Sequence, residues 1–63
     1  MSKTERARID AAIAFNHGTL DMLRASFPRA TARERKLINI VGKRIRSQTN
    51  GLTAILEGRQ ASA

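Results

Sequence analysis

The chain has 63 residues, no cysteine, one histidine and a formal net charge of +7. A chain of this size buries only about 60% of the surface its unfolded form exposes, so it is one domain at most and calls for reinforcement. The missing cysteines exclude disulfides and the common zinc patterns, and one histidine with scattered carboxylates makes no metal site, which leaves a second copy or a larger partner.

Ser2-Lys3-Thr4-Glu5 opens the chain with capping-box spacing, a hydroxyl three residues ahead of a glutamate. It predicts a helix over about residues 3–25. Ile9, Ala12, Ile13, Asn16, Leu20 and Leu23 recur at helical spacing and form its main stripe. Ala7, Ala11, Ala14, Phe15, Gly18 and Met22 make a second apolar face roughly opposite. A helix apolar on two faces wants two partners, and one hairpin supplies one. Asn16, in the middle of the main stripe, reads either as an edge residue bonded to water or backbone, or as a polar group that sets register across an interface. Gln48 and Thr49 are placed to meet it across a hairpin.

Residues 26–31 read as the connection, because Pro28 disfavours helical geometry at Phe27. Thr31-Ala32-Arg33-Glu34 then repeats the capping box and starts a second helix over about 32–57. Its stripe is Leu37, Ile38, Val41, Ile45, Gln48, Thr49, Leu52, Ile55 and Leu56, with Gly42 near the edge where a backbone can approach. Asn50-Gly51 is a turn signal inside this stretch, but Leu52 and Leu56 keep the phase set by Val41 and Ile45, so a continuous helix is expected. Gly58 suits the left-handed stop, and residues 59–63 form a loose tail. Helices of roughly 34 and 39 Å with a short link favour an all-α, antiparallel helical hairpin. Two copies meeting through Ala7, Ala11, Ala14, Phe15, Gly18 and Met22 would make a four-helix bundle.

Positive charge is concentrated as well as abundant. Arg29 to Arg46 holds seven basic residues and a single acid, Glu34. Arg35, Lys36, Asn39, Lys43 and Arg46 share one face of the second helix, flanked by Arg33 and Arg44. Basic side chains at these spacings track a phosphate backbone, so this face is the candidate nucleic-acid site. With Phe15 and Phe27 the only aromatic residues, base stacking on an aromatic surface is excluded, and recognition of duplex shape and backbone is expected for RNA or DNA alike. An acidic protein is the alternative partner, with the chain as a phage- or plasmid-type adaptor or inhibitor.

A dimeric hairpin with a nucleic-acid face resembles in plan the Rop family of plasmid RNA-binding regulators, and Ile45-Arg46-Ser47-Gln48-Thr49 is similar to a stretch of that family. The likeness lies in the architecture and transfers no residue roles. His17 reads as a surface partner of Asp21 or Asp10, and no nucleophile–base pair or phosphate-cradling glycine loop stands out, so neither catalysis nor a cofactor is expected. No apolar run nears the roughly 20 residues that cross a bilayer, and the basic stretch Met1–Arg8 lacks the apolar segment of a signal peptide. A soluble cytoplasmic protein is expected.

Overall fold

A computed structural model describes residues 1–58. Helix α1 spans Lys3–Ser26, a single 3-10 turn covers Phe27–Arg29, and helix α2 spans Ala32–Leu56. The expected tail, 59–63, lies outside the described residues. No strand occurs among the described residues, and none of their helices is long and apolar enough to cross a membrane.

Both helices begin on complete capping boxes. The Glu5 amide donates to the Ser2 hydroxyl at 3.1 Å, and the Glu34 amide donates to the Thr31 hydroxyl at 3.1 Å. In return the Ser2 and Thr31 amides donate to the carboxylates of Glu5 and Glu34, at 3.4 and 2.8 Å. Each box satisfies backbone donors that the first helical turn leaves without a partner. Helix α1 runs one residue past Phe27's predecessor in helical geometry: Phe27 itself keeps helical dihedrals, φ −55° and ψ −44°, despite the proline that follows. Its amide still reaches the carbonyls of Leu23 and Arg24, whereas Pro28 has no N–H to continue the ladder. The chain therefore leaves helical backbone at Ala30 and Thr31, both extended.

Helix α2 passes through Asn50 and Gly51 without a break. The Thr49 hydroxyl donates to the Ile45 carbonyl at 2.7 Å, and the Thr53 hydroxyl to the Thr49 carbonyl at 2.9 Å, so this stretch carries its own side-chain bonds back to the helix. A glycine in a helix costs about 1 kcal/mol, less than the packing that Leu52 and Leu56 keep by staying in phase. The helix ends where Gly58, at φ +70°, takes the left-handed position. Its amide donates to the Ile55 carbonyl at 3.1 Å.

The helices lie antiparallel, since contacts pair early residues of α1 with late residues of α2. Asn16 donates from Nδ2 to Thr49 Oγ1 at 3.2 Å and to Gln48 Oε1 at 3.4 Å. Nearer the turn, Leu20 lies against Gly42. Asn16 thus forms a polar layer with Gln48 and Thr49 across the seam. Gly42 is buried in that seam, yet an added Cβ would meet Leu20 Cδ2 at 3.9 Å and Arg46 Nη1 at 3.8 Å, ordinary contacts, so no unusually close approach depends on it.

The expected stripe of α2 splits in two. Ile38, Ile45, Leu52 and Leu56 are half-buried, whereas Leu37, Val41 and Ile55 stay 55%, 43% and 36% exposed. The reason is width: these residues span an arc broader than one neighbouring helix can cover. No hydrophobic side chain among the described residues is fully buried; Gly42 and Thr49 alone reach that state. The molecule is a slab of 43 × 25 × 10 Å, with a radius of gyration of 14.3 Å where a compact chain of this length would have about 11 Å. Its accessible surface, 5158 Å², likewise exceeds the about 4000 Å² of a compact monomer of its mass.

The second capping box makes α2 sensitive to acid. The Thr31 backbone N–H, and then its side chain, hold the Glu34 carboxyl below its ordinary value of 4.5. The ionised carboxylate is therefore favoured in the folded state, and its contribution is present above pH 4.5 and lost as acid protonates the folded carboxyl at lower pH. Glu34→Gln keeps an acceptor for the Thr31 amide. Thermal melts at successive pH values below 4.5 should show a steeper loss of stability in the native chain than in the glutamine variant.

Candidate functional site

A two-helix slab has two broad faces, and the phase of each residue decides which one it occupies. In an antiparallel pair, residues displaced from the seam in the same rotational sense lie on the same side of both helices. At 100° per residue this puts Asn39, Lys43, Arg46 and Asn50 of α2 on one face, together with Arg24 and His17 of α1. Phe15 and Met22 of α1 fall on the other, beside Leu37, Val41 and Ile55 of α2.

Two surface grooves agree with the sorting for the residues they share with it. One is lined by Arg24, Asn39 and Arg46 over a floor that includes Leu20, Ile38 and Gly42. The other groups Ser26 with Glu34 and Leu37, from the opposite side of the seam.

The candidate basic residues divide into neighbouring clusters. Arg33, Arg35, Lys36 and Asn39 line a shallow hollow over the first turns of α2. Arg46 lies one groove further along, and Lys43 stands between in helical phase. Arg44 is exposed, and its phase on α2 sets it next to Leu37 and Ile55, away from Lys43 and Arg46. No ion pair occupies Arg33, Lys36, Lys43, Arg44 or Arg46 among the described residues; the ion pair there is Arg24 with Asp21, at 4.0 Å and highly exposed. Asp21 is thereby engaged with Arg24, and His17 makes neither of its expected pairings.

Arg35 differs from the rest of its face. Its Nε donates to the Phe27 carbonyl and its Nη2 to the Pro28 carbonyl, each at 3.1 Å. The guanidinium carbon also sits 5.1 Å from the centre of the Phe27 ring, within cation–π range. This side chain clamps the turn, and its positive charge stays at the surface beside Lys36.

The six residues expected at a dimer contact are all exposed, and the fold divides them too. Phe15 and Met22, 74% and 72% exposed, belong to the apolar face. Ala7, Ala14 and Gly18 run along the outer edge of α1, with Ala11 between the two. The apolar face extends onto α2, which a reading of α1 alone does not reveal. Arg24 is another residue that sequence reasoning left out of the basic site. Its phase on α1 supplies the signal once the antiparallel seam is known.

Compared with protein-family models, curated proteins and solved structures, the chain finds no match. The site's chemistry therefore rests on its own geometry.

A fork of two charged hydrogen bonds and a ring contact at Arg35 has no lysine equivalent. Arg35→Lys retains the charge and should destabilise the fold by about 1 kcal/mol, a modest figure because the side chain is exposed. Urea unfolding followed by circular dichroism checks it.

Proposed function

We propose that this chain is a small, non-enzymatic regulator that acts as a homodimer and binds nucleic acid by its phosphate backbone and shape. Two hairpins meet through their apolar faces to form a four-helix bundle. Lys36, Asn39, Lys43 and Arg46 receive the nucleic acid, with Arg33 and Arg44 at the flank, Arg35 at the turn end and Arg24 across the groove. The observation that carries the proposal is that Lys43 and Arg46, without ion pairs, lie on one face and Phe15, Met22, Leu37 and Val41 are exposed on the other, with Arg8 beside Phe15 and Ile40 at the outer edge as exceptions.

Each half of the proposal has a physical basis. Phe15, Met22, Leu37 and Val41 are 43% to 74% exposed, and covering a side chain of this type contributes about 1–2 kcal/mol. A face of 43 by 25 Å is large enough for the about 800 Å² per partner of an ordinary stable interface. With +7 on each copy, association through the basic face would be repulsive, which leaves the apolar face for the second copy. On the basic face, Lys36 to Arg46 extends roughly 15 Å along the helix axis, a stretch of charge suited to a row of phosphates. An acidic protein would meet the same residues, but it has no need of charges spaced along a line.

Sedimentation should find the native chain dimeric. Phe15→Glu with Met22→Glu, and separately Leu37→Glu on the other helix, should each yield monomer or lose helicity; an intact dimer in both would refute the shared interface. For the ligand, affinity for short duplex RNA, duplex DNA and single strands is measured across a salt series. Lys43→Ala with Arg46→Ala should lower the logarithmic salt slope by about 2 while leaving the helical signal unchanged. An unaltered slope would remove both residues from the site. Binding that vanishes near physiological salt for every nucleic acid would direct the search to acidic proteins.

A further inference from the structure

We infer that the dimer carries two separate nucleic-acid faces pointing in opposite directions, and that it bridges two nucleic-acid duplexes. The inference rests on the proposed function and adds the number and arrangement of its ligands.

The argument follows from the slab. Its apolar residues Phe15, Met22, Leu37 and Val41 lie on one side and Asn39, Lys43 and Arg46 on the other, across a body 10 Å thick. When a patch meets its own copy, the twofold axis lies in the plane of contact and reverses the outward direction of each subunit. Burying both apolar faces therefore turns both basic faces outward, back to back. With helix layers stacking 8–10 Å apart and a backbone radius of about 2.3 Å, the outer backbones of the bundle stand roughly 15 Å from each other before side chains are added.

A single duplex cannot serve both faces. Duplex DNA has a persistence length of about 150 base pairs, so wrapping it tightly around so thin a body is prohibitive. Each face instead takes its own segment. Nor does anything in the hairpin favour one face of the dimer over the other, because symmetry makes them identical.

The test uses the intact protein and two duplexes of about 20 base pairs, long enough to cover the 43 Å face and too short to reach round it. One duplex carries biotin and the other a fluorophore. Fluorophore retained on streptavidin beads reports bridging, and fluorescence anisotropy of the second duplex alone reports binding. Retention should peak near one protein dimer per two duplexes and fall at large protein excess while anisotropy stays saturated. Lys43→Ala with Arg46→Ala should reduce bridging by about the square of its effect on single-duplex affinity, since bridging requires two engaged faces. Saturated binding without retention at any ratio would overturn the bridging inference and leave nucleic-acid binding intact. Retention that keeps rising with protein excess signals charge condensation and would overturn the two-face geometry. Absence of binding at physiological salt would overturn the proposed function and the bridging with it.

Discussion

Two helices can touch along a single seam, and that constraint governs everything else in this molecule. A side chain in the seam is shielded by the opposite helix from one direction only, while water reaches it from the two sides. Among the described residues full burial is accordingly limited to Gly42 and Thr49, small residues near the line of closest contact. Larger residues such as Leu20, Ile38 and Ile45 remain half-buried however well they pack. A third layer is needed to complete the shielding. The described residues do not supply one, and they leave Phe15, Met22, Leu37 and Val41 aligned on the side where such a layer would sit.

The seam is held in register at points spread along its length. At the turn, Arg35 grips two consecutive carbonyls and lies over Phe27. In the middle, Leu20 lies against Gly42. Further out, Asn16 donates to Gln48 and Thr49, and the Thr49 hydroxyl donates in turn to the Ile45 carbonyl. A slip of α2 by one turn would leave the Asn16 amide facing apolar side chains and break the link, which costs more than a hydrogen bond contributes when made. Register in turn fixes which residues share a face. The alignment of Arg24 with Asn39 and Arg46 is a product of this polar layer as much as of the basic residues themselves.

Much of this was legible in the residue pattern because it depends on local rules. Capping boxes involve residues three positions apart, and both form as their spacing suggests. The persistence of α2 through Asn50-Gly51 follows from the phase of Leu52 and Leu56. The placement of Leu37, Val41 and Ile55 was harder to read, since a broad apolar arc looks the same in sequence whether a neighbour covers all of it or half. Arg35 was similarly hidden: its charge and phase match those of Lys36 and Lys43, and only the path of the turn brings the Phe27 and Pro28 carbonyls within its reach. Asn16 had its partners in view, but whether they met was decided by packing between residues more than thirty positions apart, at separations of 32 and 33.

The turn has a consequence for how copies of the chain can exchange parts. Ser26 and Phe27 keep helical dihedrals, and of the residues leading to α2 only Ala30 and Thr31 adopt extended backbone at its threshold. A hairpin is thus separated from a nearly straight rod by a short stretch of chain. In a straightened chain α1 would pair with the α2 of a neighbour, and the same seam would be rebuilt between two molecules. Two features hold the chain back. Pro28 interrupts the ladder that a rod would need, and the Arg35 fork ties α2 to the carbonyls on the far side of the bend. One arginine thereby works with the proline to keep the bend closed.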